Sequence, residues 1–348
     1  MSDSTSPDDA SATDPERNGD RGRLDPSHVA RLIAHRGKAT WGERLVPLET
    51  FRRESRQFGR ELPEGERQTE RRSFLERPSD PTPIEGPFGK IAVFGGIYNN
   101  SYGLEALLDD ARRRGAEAIY CLGDFGGFGP HPERVWPLLV EGDVRSIQGN
   151  YEESLSSGRE DCNCGYADPR DNHFAAVSYR YTAERCSADF KTWMGSHPRR
   201  RRVHLGRREL LLIHGSPRRV NEFLFESATP DPFLEVLCAQ ERCDGILCTH
   251  TGLPWHRHLA SGRDVVNVGV IGRPANDGAT HVWYALLEVG TDGGLAVELV
   301  PLVYDVEALA RDMRQEQLPD EFVETILTGW WTTCLEILPA RERRASRF

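Results

Sequence analysis

The chain has 348 residues, with 44 lysines and arginines against 54 aspartates and glutamates, 38% hydrophobic residues and eight cysteines. A net charge of −10 gives no general field for polyanions, which disfavours nonspecific binding to nucleic acid or to an anionic membrane. No apolar run approaches the roughly 20 residues of a membrane span, and Met1-Ser2-Asp3-Ser4 opens without an apolar signal core, so a soluble, cytoplasmic protein with reduced thiols is expected.

Residues 1–86 read as a charged N-terminal extension. The first 24, rich in Ser, Asp, Pro, Gly and Arg, bury too little surface to offset chain entropy and are expected to be disordered. A helix is predicted over 26–33, where Asp25 can cap and Val29, Leu32 and Ile33 share a face. The alternating charges of 52–72 read as a solvated face, and Pro78, Pro81, Pro83 and Pro87 mark a linker.

From Lys90 onward the texture changes to short apolar runs, each closed by a loop of Gly, Asn, Asp or His. Strands are predicted over Lys90 to Phe94, Ala118 to Leu122, Val144 to Ile147, Glu209 to Ile213, Gly245 to Cys248 and Val265 to Asn267. Between them, Leu104, Leu107, Leu108 and Ala111 share a helix stripe, and a second helix covers His131 to Leu139. This alternation predicts an α/β domain with a largely parallel core over 87–302. His281 to Val289 and Leu295 to Val300 form a closing hairpin. A helical tail fills 303–348, with Trp330 and Trp331 on a helix packed against the domain.

Functional groups in such sheets collect where strands end. Here those ends read Gly95 to Asn100, Gly123 to Pro130, Gly149-Asn150-Tyr151-Glu152, His214-Gly215-Ser216-Pro217 and Thr249-His250-Thr251-Gly252. Asp124, Asn150, His214 and His250 offer hard oxygen and borderline nitrogen donors, a set that suits manganese, iron or zinc.

The order of these blocks resembles the calcineurin-like metallophosphoesterases, in particular their small bacterial phosphodiesterase branch, from about Lys90 to Val300. Gly123 to Pro132 follows that branch's Gly-Asp-x-x-Gly-x-Gly-Pro-x-Pro closely, and Leu104-Glu105-Ala106-Leu107-Leu108 follows its first helix. The resemblance implies a four-layer αββα sandwich of two mixed sheets with outer helices. It also implies that Asp124, Asn150, His214 and His250 are the ligands of one metal. The ligands private to the family's other metal fall at Gly96, Tyr98 and Gly252, and all are missing. That split implies a rebuilt site with one divalent metal ion, serving a metal-dependent phosphomonoester or phosphodiester hydrolase. Its substrate is then a small phosphorylated or related ester. A catalytically inactive protein of this fold that binds a ligand or partner is the competing reading.

Tyr151 stands where the family has a His near the leaving group. With a pKa near 10 it makes a poor proton shuttle but a fair hydrogen-bond donor. The segment from Tyr151 to Tyr181 is expected to line the substrate pocket, with His173 as a candidate general acid, although a solvated loop histidine is the alternative. Cys162 and Cys164 are candidate ligands of a soft metal or reactive thiolates. Arg218, Arg219 and Asn100 are candidate substrate-binding residues, the arginines through guanidinium forks that suit phosphate.

Overall fold

Strands form at runs of Ile, Val and Leu, whose branched side chains suit a pleated surface. The computed structural model describes residues 38–41, 44–47, 82–290 and 294–344. The expectations of disorder before residue 24 and of a helix over 26–33 lie outside the described residues. Two units make up the chain, Met1–Pro78 and Ser79–Phe348. In the first, β1 (Lys38–Trp41) and β2 (Arg44–Pro47) form an antiparallel pair.

The second unit holds two sheets. One has the order β13 (Leu295–Leu302), β12 (Val282–Val289), β4 (Lys90–Phe94), β5 (Ala118–Cys121) and β6 (Arg145–Ser146). The other runs β10 (Trp255–His258), β11 (Asp264–Asn267), β9 (Gly245–Cys248), β8 (Arg208–Leu212), β7 (Arg201–Leu205) and β3 (Ile84–Phe88). Parallel pairing joins β4 to β5 to β6 and β11 to β9 to β8, while β12, β13, β10 and the β7–β8 pair are antiparallel to their neighbours. Edge strand β3 pairs parallel with β7, so both sheets are mixed, and the parallel pairing expected from strand–helix alternation makes up only part of each.

The alternation of side chains along each strand sets the layers. Ile91 and Val93 of β4 face Leu210, Leu212 and Leu247 of the other sheet in one buried cluster between them. Ala92 and Phe94 point the other way, onto Leu104, Leu107 and Ala111 of α1 (Ser101–Arg113). On the far face of the six-stranded sheet, Leu211, Ile246 and Val265 pack against Leu234 and Leu237 of a helix over Asp231–Glu241. The result is the four-layer αββα sandwich. Each fully buried Leu or Ile contributes roughly 1.5–3 kcal/mol of transfer free energy to it.

Three helices that the sequence did not disclose lie beside the five-stranded sheet: α3 (Asn150–Ser157), α4 (Pro169–Arg185) and α5 (Ala188–Gly195), following α2 (Val135–Glu141). After α6 (Asp231–Glu241), the tail forms α7 (Val306–Gln315) and α8 (Asp320–Thr328), which bury Leu309, Met313, Phe322 and Ile326 in the same cluster as α1. The predicted helix through Trp330 and Trp331 is not present. Gly329, at φ +72°, ends α8 in the left-handed conformation that only glycine adopts without strain. Trp331 then enters the domain from a loop, its indole N–H donating to the Pro274 carbonyl at 2.6 Å. Among the described residues no helix is long and apolar enough to cross a membrane.

His197, in the turn after α5, carries a testable pH dependence. Burial, with the Arg201 charge second, pushes its pKa down to about 4, and its Nε2 is buried with no hydrogen-bond partner. The unfolded chain takes up a proton near pH 6.5 that the folded chain refuses. Stability should therefore fall as pH drops from about 6.5 to about 4 and level off below, by up to roughly 3 kcal/mol from this residue. Urea titrations at pH 7.5 and 5 with chelator present should show a smaller pH dependence in His197→Gln than in the parent. An unchanged difference would rule the assignment out.

Candidate metal centre

Three strand ends and one helix start build the site. Gly123 and Asp124 follow β5, and both are left-handed, at φ +89° and +60°. Space at this crossing is tight: a Cβ on Gly123 would lie 2.2 Å from the Gly149 nitrogen, and one on Gly149 would lie 2.5 Å from Asp124 Oδ1. Asn150 opens α3, His214 lies two residues beyond β8, and His250 lies two beyond β9. Glu152 ties the first two loops together. Its buried carboxylate accepts the N–H groups of Asp124 at 2.7 Å, Phe125 at 2.8 Å and Gly149 at 2.8 Å. Burial, with the Asp124 charge second, pushes its pKa up to about 7 against the pull of those three donors.

His214 Nδ1 donates to the Leu122 carbonyl at 2.6 Å, which leaves Nε2 facing the other donors. Nε2 is 3.2 Å from Asp124 Oδ2 and 3.1 Å from His250 Nδ1. One ligand atom from each of these three buried residues lies within 4.8 Å of the other two. Burial alone would raise the Asp124 pKa, but the neighbouring His214 holds it below the usual carboxylate range. The carboxylate in turn raises His214 against the opposing effect of burial. Burial, with His214 second, pushes His250 down to about 3, so it is a neutral donor at neutral pH.

Asn150 completes the set. Its Nδ2 donates to the Cys162 carbonyl at 2.8 Å, while its Oδ1 is buried without a hydrogen-bond partner. Such an orphan costs about 1–3 kcal/mol unless something accepts its lone pair. Asn150 shares a cleft with Asp124 and His250. Two imidazole nitrogens, a carboxylate and an amide oxygen fit a borderline divalent cation. The Leu122 and Cys162 carbonyls hold two of the donors in orientation.

Tyr98 lines the cleft that holds Asp124, Asn150 and His250. The Tyr98 ring fills the space a side chain on Gly96 would need, 2.6–2.9 Å from its Cβ position. A Cβ on Gly252 would lie 3.3 Å from the Trp331 ring and 3.5 Å from Arg273 Nη2. Arg273 did not stand out in the sequence, and Trp331 did so only as part of an expected tail helix. Arg273 directly follows the Asn267 to Gly272 block, a signal that was available; Trp331 arrives from a distant loop.

The remaining candidates separate. Tyr151 is buried at the cleft, its hydroxyl 3.0 Å from Ser178 Oγ, and burial pushes its pKa far up. The segment from Tyr151 to Tyr181 lines the cleft through Tyr151, Cys164, Tyr166, Phe174 and Ser178. His173 is exposed beside Phe174 and is not in that lining, and Asp171 accepts the Glu336 N–H at 3.1 Å. Asn100 caps α1 through Oδ1, which accepts from Gly103 N at 2.9 Å, and donates to the Ile271 carbonyl, so its amide is committed to the fold. Arg218 and Arg219 are exposed on a separate cleft that also reaches His214, where Arg218 pairs with Glu222 at 3.5 Å. The expectation that all thiols are reduced is corrected: Cys162 and Cys164 form a disulfide, so neither is a thiolate ligand. The other six cysteines are free and buried.

Comparison with known proteins agrees with this architecture. The model of the calcineurin-like phosphoesterase superfamily domain matches residues 90–292, more than half of the chain. An uncharacterized protein of Methanocaldococcus jannaschii is 23% identical over 255 residues, covering 69% of this chain and 98% of the relative. Among solved structures, a metallophosphoesterase from Sphaerobacter thermophilus aligns with a TM-score of 0.53 at 24% identity, over 69% of this chain and 98% of its own. A hypothetical protein from Pyrococcus horikoshii aligns with a TM-score of 0.58 at 21% identity, over 70% and 99%. These two likenesses establish a shared fold.

Proposed function

Because the chain belongs to the calcineurin-like phosphoesterase superfamily, we propose that it hydrolyses a small phosphomonoester or phosphodiester with one divalent cation, manganese, iron or zinc. Asp124, Asn150, His214 and His250 are its ligands in this reading. The observation that carries it is the buried Asn150 Oδ1, which has no hydrogen-bond partner and shares a cleft with the donors Asp124 and His250. A bound divalent cation supplies a Lewis acid for a phosphoryl oxygen and lowers the pKa of a coordinated water.

The chain's own groups do the rest. His214 is fixed by the Leu122 carbonyl and needs no reorientation to act as a ligand. Tyr151 holds its proton, because burial disfavours the phenolate, so it serves as a hydrogen-bond donor and not as a base. The cleft gives the centres of water-sized molecules about 50 Å³, several times what one water requires, which suits a phosphoryl group with the rest of the ester outside.

Elemental analysis should find about one metal per chain in the purified protein, and less than about a tenth of that in His214→Ala, since loss of one of four ligands removes most of the affinity. Two tightly held equivalents would overturn the single-centre reading. Absence of turnover on both a phosphomonoester and a phosphodiester with added manganese would overturn the hydrolase reading.

A further inference from the structure

Arg273 is a buried cation without a counter-charge. It is 6% exposed, its Nε has no hydrogen-bond partner, and among the described residues no carboxylate forms an ion pair with it. Its guanidinium lies 3.5 Å from the Trp331 ring centroid, with the Tyr98 and Phe128 rings at 5.8 and 5.9 Å. Aromatic faces stabilise a cation in part without satisfying its N–H donors, and the Cys334 side chain, a weak acceptor, is the hydrogen-bonding group beside the guanidinium. A charge taken out of water is tolerated when an anion meets it. Arg273 lines the cleft that holds Asp124, Asn150 and His250, and its Nη2 lies 3.5 Å from the Cβ position of Gly252.

We propose that Arg273 is the oxyanion-binding residue of this cleft. Its guanidinium receives one or two oxygens of a phosphoryl group beside the Asp124–Asn150–His214–His250 cluster and so stands in for a second metal ion. The assignment rests on the phosphoesterase reading for its ligand, while the orphaned Nε and the lack of a carboxylate partner among the described residues are independent of it. Trp331 covers one face of the planar group, which leaves the N–H edge for the ligand. A guanidinium neutralises phosphoryl charge but cannot generate hydroxide, so the work of two cations is divided: charge here, water activation at the four donors.

The test uses the full chain, inorganic phosphate as the probe and isothermal titration calorimetry, with elemental analysis of every sample. Arg273→Gln is expected to weaken phosphate binding at least ten-fold, about 1.4 kcal/mol, with unchanged metal content. Arg273→Lys should recover part of the loss. The melting temperature of Arg273→Gln without phosphate should equal or exceed that of the parent, whereas a merely structural arginine would lower it. Equal phosphate affinity in the parent and a folded Arg273→Gln overturns the proposal, as does a metal-loaded parent that binds no phosphate. Should Arg273→Gln fail to fold, the comparison passes to Arg273→Lys, and parental affinity with an unchanged melting temperature there would likewise overturn it. A parent without metal whose phosphate binding still depends on Arg273 would support this assignment and refute the metal reading, so the two fail separately.

Discussion

Asp124→Ala is expected to lower turnover of a phosphoester at least about 10³-fold and to leave the protein without tightly bound metal. Asp124 is the only carboxylate in the donor group formed with His214 and His250. Its charge is what holds the low-lying carboxylate and the raised His214 together. Lewis-acid stabilisation of a phosphoryl oxygen is worth several kcal/mol, and about 4 kcal/mol corresponds to 10³-fold in rate. Asp124→Asn separates charge from shape: it keeps an acceptor for the Tyr151 N–H at 3.2 Å, yet should lose nearly as much activity. Retention of a tenth of the parental rate at normal metal content in Asp124→Ala would remove Asp124 from the mechanism.

The second large effect belongs to a residue that touches no ligand. Glu152→Ala should destabilise the fold by about 3 kcal/mol or more, because three buried N–H groups lose their acceptor at once and each orphan costs about 1–3 kcal/mol. The same change should weaken metal binding, since those N–H groups belong to the Asp124 loop and to Gly149, immediately before Asn150. Glu152→Gln keeps only one acceptor oxygen where two are in use, and it should fall between. Urea denaturation with chelator measures the first effect and metal titration the second. A loss below about 1 kcal/mol in Glu152→Ala would show that the loops hold their crossing without it.

Most strands of the sheets, and the cluster of Asp124, His214 and His250, were legible in the sequence for a shared reason. Apolar runs such as Lys90 to Phe94 and Gly245 to Cys248 become strands wherever burial on both faces rewards them, and the loops that follow carry what the strands cannot. β7 was illegible because Arg201 and Arg202 interrupt its alternation; Arg202 is nevertheless buried, paired with Glu209 and with Glu241 at 3.5 Å. His173 and Arg218 have chemistry that suits a site, yet their exposure is set by packing that no local pattern encodes. Asn100 was marked as a substrate ligand, whereas its position before Leu104 also fits an ordinary helix cap, the role its hydrogen bonds give it. Arg273 and Trp331 matter only through convergence, since 57 residues of chain separate the indole from the Pro274 carbonyl that anchors it.

The close contacts of Gly96 with Tyr98 and of Gly252 with Trp331 also bear on how this site can change. A carboxylate introduced at Gly96 meets the Tyr98 ring. Any side chain at Gly252 must accept φ +77° and press on Trp331 and Arg273. A new ligand at Gly96 or at Gly252, taken singly, should therefore strain the fold before it becomes usable. A stepwise search, as in laboratory selection for a dinuclear variant, faces a valley here and not a slope. A ligand at Gly96 becomes possible only once the Tyr98 ring is replaced.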